Sequence, residues 1–187
     1  MTLDLQKTVI KMYVVAARFS TKTWDEQCAY YAKKKIAGCV YGSPQPMAKS
    51  IPYGAPVFVL EMNLSRRRIM GVGLVANDYT VGIHHIYSDT QYNVCAYDGK
   101  YRVDREDMTA EEEAIMVVFD EELFWKSHVW RSSNGLRHIP KRVCELPGFN
   151  YEIVMRDMFV RRFAKTKPKA VKSQKSSGSN SSVRARA

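Results

Sequence analysis

Apolar positions along the chain fall into short runs typical of strands and into spaced patterns typical of helices. The run VIKMYVVAARF, residues 9–19, is rich in β-branched and aromatic residues and predicts a buried strand. Residues 57–62 predict a second strand, and RRRIMGVGLVAN predicts its antiparallel partner after a turn near residues 63–66. Gly71 and Gly73 would let that partner coil sharply, as the strands of small barrels do.

Helical patterns flank these strands. Thr23, followed by Glu26 three positions later, has the spacing of a capping box and predicts a helix start, and Gly38 is well placed to end that helix. Thr109 predicts the start of a second helix, whose early glutamates suit the positive end of the helix dipole. A last helix is predicted over residues 150–164. Its inward face is predicted to carry Ile153, Val154, Met158 and Phe159.

The connecting segments complete the predicted order of elements. Residues 38–46 predict a short strand that runs into a proline-rich loop, and residues 77–95 predict a long polar hairpin or lid. The stretch AYDGKYRVD, residues 96–104, predicts a strand with a tight turn or bulge at Asp98 and Gly99. One strand, one helix, four or five strands and further helices predict an α+β domain built on a small mixed β-barrel with flanking helices.

Positive charge is concentrated at the C-terminal end of the chain. The formal net charge is +10, but nine of the 29 Lys and Arg residues lie in residues 161–187, which contain no acidic residue. The first 160 residues are therefore nearly neutral. Residues 165–187 are rich in Ser and Lys and lack large apolar side chains, which predicts a disordered basic tail after a domain over residues 1–164.

Such a tail is suited to binding phosphate backbones through counterion release, or to serving as a nuclear address, and a merely solubilising tail is the alternative. The lysines predicted to contact a nucleic-acid backbone are Lys165, Lys167, Lys169, Lys172 and Lys175.

Catalytic, metal and membrane signatures are not found in the sequence. It contains no GxSxG, HExxH, Walker or dinucleotide-binding motif, and its four cysteines have no CxxC spacing. His84 and His85 are adjacent, so in a strand they would point to opposite faces. No stretch reaches the roughly 20 apolar residues of a membrane span. We expect a non-enzymatic protein without cofactor, metal or membrane partner, and a nucleic-acid-modifying enzyme is the alternative.

Aromatic and basic residues occur together in predicted loops. Recognition of single-stranded nucleic acid needs flat side chains for base stacking and cationic groups for phosphates. Tyr41, Tyr97, Trp125 and Trp130 supply the first, and the basic stretch 126–142 supplies the second. Because tyrosine and tryptophan are also ordinary core residues, Tyr97 has two open interpretations, as core filler or as contact surface.

Several segments, taken in order over about residues 12–143, carry a family resemblance. They are ARFSTKTWDEQCAYYAKKKIAGCVYGSP, PVFVLEMN with IMGVGLV, YDGKYRV, and RSSNGLRHIP. The first segment resembles the capped helix and short strand of the YTH domain, and the second resembles its next strand pair. The third resembles the aromatic-x-Gly-basic-aromatic-x-Val element of that domain, and the fourth its basic phosphate loop. That domain belongs to the PUA-like superfamily, which also includes EVE and ASCH domains. The chain also resembles uncharacterised proteins of large DNA viruses of eukaryotes.

The resemblance implies a pocket for an extruded base, which in YTH domains is N6-methyladenine held in an aromatic cage. By position, Tyr97 would form one cage wall, Val40 or Tyr41 would take the place of the first cage tryptophan, and Ser43 would face the base edge. The phosphate contacts would come from Lys126, Arg131 and Arg137. The sequence departs from the family in lacking the first cage tryptophan and in having a tyrosine for the second.

The function implied is that of a nucleic-acid-binding protein, a reader of a modified base in RNA or DNA, whose tail adds sequence-independent affinity. The alternative is a virion structural or DNA-packaging protein, in which the domain is a scaffold and the tail binds DNA or a partner. Either function implies a location in the host cytoplasm or nucleus, or packaging in the virion.

Overall fold

The computed structural model describes residues 11–126, 135–139, 141–146 and 149–163. The described chain is an α+β domain, as the pattern of apolar positions predicts. Its strands are β1 (Tyr13–Phe19), β2 (Cys39–Ser43), β3 (Pro56–Asn63), β4 (Arg68–Ala76), β5 (Thr80–Val81), β6 (Cys95–Gly99), β7 (Tyr101–Asp104), β8 (Leu136–His138), β9 (Glu145–Leu146) and β10 (Phe149–Asn150). Its α-helices are α1 (Thr21–Lys34), α2 (Ala110–Asp120), α3 (Lys141–Cys144) and α4 (Tyr151–Phe163). A π-helical segment, Glu121–Lys126, directly follows α2.

The strands form a five-stranded sheet, a three-stranded sheet and a short hairpin. The large sheet has the order β7-β4-β3-β1-β8, in which β1 and β3 are parallel and the other neighbours antiparallel. The second sheet has the order β2-β6-β5, and β9 pairs with β10. Within the described ranges, β7 and β8 remain sheet edges that do not pair with each other, so these ladders form no closed barrel.

Both faces of the five-stranded sheet are buried. One face, with Val14, Phe58 and Leu60, packs against residues of α2 and α4 such as Met116 and Phe159. The opposite face packs against the second sheet. That second core cluster includes Val15, Val57, Val59, Tyr41 and Tyr97. Because successive side chains of a strand point to opposite faces, β1 and β3 are apolar throughout and contribute to both clusters.

The chain passes from the three-stranded sheet to the five-stranded sheet at Lys100. β6 ends at Gly99 and pairs with β2 and β5, whereas β7 begins at Tyr101 and pairs with β4. A Cβ atom at Gly99 would collide with the backbone carbonyl of Leu74, so only glycine permits this close approach. The prediction of a turn or bulge at Asp98 and Gly99 is therefore wrong in position: both residues pair regularly with β2, and the break at the next residue divides the predicted strand between two sheets.

The predicted helix boundaries are correct for α2 and wrong in detail for α1. Thr109 is the N-cap of α2 and exchanges hydrogen bonds with Glu112. In α1 the N-cap is Ser20, and Thr23 is its partner three residues later rather than the cap itself. α1 ends before Gly38, because Lys35 adopts the left-handed conformation that closes the helix.

The inward face of α4 differs from the prediction. Met158 and Phe159 are buried as expected, but Ile153 is 47% exposed and Val154 is only partly buried. The buried positions are Tyr151, Met155, Met158 and Phe159, which recur at the spacing of one helical face. Within the described ranges, no helix combines the length and the apolar composition needed to cross a bilayer.

Candidate nucleic-acid interface

Tyr97, the predicted cage wall, lies in the core between the two sheets. It is 0% exposed, and its hydroxyl accepts the Met47 N–H at 2.8 Å. Burial raises the pKa of Tyr97 to about 12. The ring of Tyr79, which is 36% exposed, lies on its solvent side with 5.7 Å between ring centroids. A base could reach Tyr97 only if Tyr79 and the segment around Met47 moved.

Tyr41 faces a buried ion pair rather than an open cage. It lies opposite Tyr97 in the β2–β6 ladder, is 0% exposed, and donates its hydroxyl proton to Glu61 Oε1 at 2.7 Å. Arg102 donates from Nε and Nη2 to the two Glu61 oxygens, each at 2.7 Å. Burial opposes the charge on Arg102, but these hydrogen bonds more than offset it and raise the pKa of Arg102. Tyr41, Glu61 and Arg102 thus form a buried polar cluster, and the Tyr41 hydroxyl proton is used within it.

Backbone irregularity and two glycines make room for this buried cluster. The β3–β4 register shifts between Leu60 and Met62, at the position of Glu61. A Cβ atom at Gly71 would lie 2.8 Å from Glu61 Oε2, and one at Gly73 would collide with the Tyr41 hydroxyl. These glycines, predicted to aid strand coiling, therefore accommodate buried polar side chains.

Val40 and Ser43 are also buried, at the two ends of β2. The backbone carbonyl of Val40 accepts hydrogen bonds from Gln27 Nε2 at 2.6 Å and from the Tyr31 hydroxyl at 3.1 Å. Ser43 donates its hydroxyl proton to the Gln45 carbonyl at 2.7 Å. A Cβ atom at Gly135 would lie 2.6 Å from Ser43 Oγ, so the start of β8 packs against the end of β2. The structure thus brings Ser43 close to the strand that carries Arg137.

Arg137 and Arg18 lie on one face of the large sheet. Arg137 pairs with Ala16 in the β1–β8 ladder, and Arg18 lies two residues further along β1 on the same face as Ala16. Burial, and next the positive charge of Arg137, lower the pKa of Arg18. Two guanidinium groups are therefore close together at the C-terminal end of β1.

The turn between β3 and β4 adds exposed arginines at this same end. β1 and β3 are parallel, and the Leu64 N–H donates to the Phe19 carbonyl at 2.8 Å. The turn continues with Arg66, Arg67 and Arg68, all exposed. Arg68 pairs with Glu113 at 3.1 Å.

Arg67 is stacked on an exposed tryptophan. Its guanidinium lies 4.4 Å from the ring centroid of Trp125, which is 61% exposed. In the part of the chain that the structure describes, neither Arg66 nor Arg67 forms an ion pair with a carboxylate. We call Arg18, Arg66, Arg67, Arg137 and Trp125 the basic end of the sheet.

Of the other residues predicted to contact phosphates, the structure describes only some. Lys126 is the last residue of the π-helical segment and follows Trp125 directly. Arg131 and the tail lysines lie outside the described residues, as does much of the basic stretch 126–142. Sequence reasoning missed Arg18, Arg66 and Arg67, although three consecutive arginines in a predicted turn were an available signal.

Two reactive side chains, Cys39 and His84, are held in contacts with the rest of the domain. Burial raises the pKa of the Cys39 thiol to about 12, so it remains protonated and a poor nucleophile at neutral pH. His84 Nδ1 is hydrogen-bonded to the Tyr30 hydroxyl at 2.8 Å. Over the described ranges, no group of three or more His, Cys, Asp or Glu side chains is arranged to hold a metal ion.

Comparison with known proteins gives no relative from which a function could be transferred. No protein-family model, no curated protein and no solved structure matches the chain.

Proposed function

We propose that this protein binds single-stranded nucleic acid, RNA or DNA, at the basic end of the sheet. The observation that carries the proposal is the stacking of Arg67 on the exposed ring of Trp125. Arg18 and Arg137 lie toward the same end of the sheet as the β3–β4 turn, so a flat aromatic surface and several guanidinium groups occur at one end of the domain.

This arrangement suits a strand whose bases are accessible. Guanidinium groups bind phosphate oxygens through paired N–H donors, and arginine is weakly hydrated compared with lysine. The face of a tryptophan can stack against any base, which contributes about 1–3 kcal/mol per base. In a duplex the base faces are already stacked on each other, and Trp125 would therefore favour a single strand.

Reading a modified base through a PUA-like fold is the finer part of the proposal. It is supported by the continuous passage of the chain from β6 to β7 between two sheets, and by the contact of Ser43 with the start of β8. Tyr41 and Tyr97 are buried, so in this form of the proposal the Met47 segment and Tyr79 open to admit an N6-methyladenine-like base.

The alternative proposal is a virion structural or DNA-packaging protein. The fully buried Tyr41 and Tyr97 favour this alternative, because a scaffold domain needs no base pocket. In that case nucleic acid would bind through the tail alone, and the basic end would contribute no more than any other exposed pair of cations.

Binding of a short fluorescent single strand to the full chain tests the proposal. We expect the double variant Arg66→Gln/Arg67→Asn to bind about tenfold more weakly, which corresponds to about 1.4 kcal/mol. Asparagine is chosen at residue 67 because that residue has a φ of 47°. The slope of log affinity against log salt should become shallower by about 1.4, since two phosphate contacts are lost.

The matched control is Lys49→Gln/Lys100→Gln, which removes two exposed charges away from the basic end. Equal weakening by both double variants would contradict a site at the basic end and support the packaging alternative. A strand containing N6-methyladenine, measured beside its unmethylated twin, tests the finer proposal. Equal affinity for the two strands would rule out methyl reading.

A further inference from the structure

A cleft of about 390 Å³ lies between α1 and the segment of residues 82–86. It shares no lining residue with the basic end. The helix side of the cleft includes Glu26, Tyr30, Lys33 and Lys34, which share one face of α1. A volume of this size is within the usual range for small-molecule sites.

The wall opposite the helix is held in place by buried hydrogen bonds. Asn93 Oδ1 accepts the N–H groups of Ile86 at 2.9 Å and Tyr87 at 3.0 Å, and Asn93 Nδ2 donates to the Tyr87 carbonyl at 2.7 Å. The hydrogen bond between Tyr30 and His84 ties this segment to α1. The cleft is therefore formed before any ligand binds.

The chemical groups in the cleft differ from one end to the other. Lys33 and Lys34, in the last turn of α1, provide two exposed ammonium groups at one end. Glu26 lies two helical turns earlier, about 10 Å away along the axis. Its side chain is 22% exposed, its Oε1 atom lies 3.9 Å from Lys22 Nζ, and its Oε2 atom is buried. The carboxylate is therefore an acceptor at this end of the cleft, suited to a hydroxyl or amino donor of a ligand.

The middle of the cleft is apolar and aromatic. Tyr30 lines the helix wall, and Ile83, which is 67% exposed, and His85 line the opposite wall. A ligand that fits these groups has an anion at one end, a flat or apolar body, and a hydroxyl or amino donor at the other end.

We propose that this cleft binds a nucleoside monophosphate, with its phosphate on Lys33 and Lys34 and a ribose hydroxyl or base amino group donating to the exposed part of the Glu26 carboxylate. A free nucleotide and the phosphorylated terminal nucleotide of a strand share this chemistry. The site is distinct from the basic end and does not depend on the function proposed for it.

Isothermal titration of the full chain with adenosine monophosphate tests the site. We expect saturable one-to-one binding, about tenfold tighter than that of adenosine or inorganic phosphate, because each of these lacks one half of the contacts. Lys33→Gln/Lys34→Gln should weaken binding of the nucleotide about tenfold, and Glu26→Gln should reduce the preference for the nucleotide over inorganic phosphate.

The control is Lys35→Asn/Lys49→Gln, which removes two exposed lysine charges from outside the cleft. Circular dichroism of each variant verifies folding. Unchanged binding by the Lys33/Lys34 variant, equal binding of phosphate and nucleotide, or no binding at all would each overturn the proposal. A 5′-phosphorylated trinucleotide competing as well as the free nucleotide would assign the site to strand ends, and failure to compete would assign it to free nucleotides. The Arg66/Arg67 variant should bind the nucleotide normally.

Discussion

At the scale of single residues, the most constrained group is the carboxylate of Glu61. It is 0% exposed and receives hydrogen bonds from Tyr41 and from two nitrogens of Arg102. A second carboxylate, Asp104, contacts the same guanidinium at 2.6 Å but is 53% exposed. Both acids therefore pair with Arg102, one from a buried position and one from an exposed position. This difference makes them a matched pair for mutation.

Removal of the buried charge should cost far more stability than removal of the exposed one. Glu61→Gln leaves Arg102, only 12% exposed, beside an amide group, and we expect the free energy of unfolding to fall by about 3–5 kcal/mol. Asp104→Asn should lower it by about 1 kcal/mol or less, because water screens that pair. Urea denaturation of both variants measures the difference. Similar losses would mean that the Glu61 pair contributes no more than a surface pair.

The buried tyrosines show why residue roles were harder to predict than strands. AYDGKYRVD has the alternation of a strand, and it forms strands. The surroundings of Tyr97 depend on Met47 and Tyr79, which are distant in sequence and whose arrangement no local pattern contains. Likewise, nothing near Glu61 in the sequence indicates that Arg102, 41 residues later, neutralises it. A single sequence shows periodicity, whereas a site depends on contacts between distant segments.

At the scale of elements, local signals located helix starts better than helix faces. Thr109 and Glu112 cap α2 because their side chains satisfy backbone groups only three residues apart. The face of α4 is decided by packing against the sheet, and apolar residues occur around much of its circumference. Phe159 contacts Phe58 of β3 with 5.2 Å between ring centroids, which directs Ile153 outward. Packing against the sheet therefore buries Tyr151 and Met155 in place of the predicted Ile153 and Val154.

The start of α2 is an ion-pair junction with a defined response to acid. Hydrogen bonds from Arg105 lower the pKa of Glu113. Burial opposes the charge on Glu112, but hydrogen bonds from the Thr109 N–H and then from Arg162 and Arg161 more than offset it and lower its pKa. Two carboxylates with lowered pKa values stabilise the fold above the unfolded pKa, about 4.3, and this stabilisation is lost as the pH falls through their folded values.

Glu113→Gln should therefore lower stability at neutral pH and flatten its decline in acid. We expect a loss of about 1 kcal/mol at pH 7, a modest value because the Glu113 side chain is 36% exposed. Thermal melts between about pH 7 and pH 2 follow the effect, since the variant should converge with the parent chain at the acid end. The exposed neighbour Glu111 provides the control Glu111→Gln, which should track the parent throughout. A constant offset between Glu113→Gln and the parent at every pH would refute the linkage.

At the scale of the whole molecule, the last turn of α4 and the arginine-rich turn between β3 and β4, which we call the arginine turn, form ion pairs with adjacent glutamates. Arg161 and Arg162, in the last turn of α4, contact Glu112 at 3.1 and 2.5 Å. The next residue, Glu113, contacts Arg68 at the start of β4. The chain therefore leaves α4 on the side of the domain that carries the arginine turn. One nucleic-acid strand could contact both the basic end and the tail.

Deleting residues 165–187 separates the contribution of the tail from that of the basic end. The deletion removes seven Lys and Arg residues, so the slope of log affinity against log salt should become shallower by as much as about 5 if all seven contact phosphates of a single strand. Contacts of the tail carry no base information, and any base preference should therefore survive its removal.

Binding that is lost completely on tail deletion, with no residual effect of Arg66→Gln/Arg67→Asn, would place all affinity in the tail. Residual binding that still depends on Arg67 and Trp125 would place recognition in the folded domain. Because α4, which precedes the tail, is paired through Glu112 next to the β3–β4 turn, a strand long enough to reach both the basic end and the tail should bind more tightly than the two separate affinities predict, as expected for linked sites. Shortening the strand until this gain disappears would measure the distance between the basic end and the tail contacts. A gain that is independent of strand length would mean that the two regions bind separate strands.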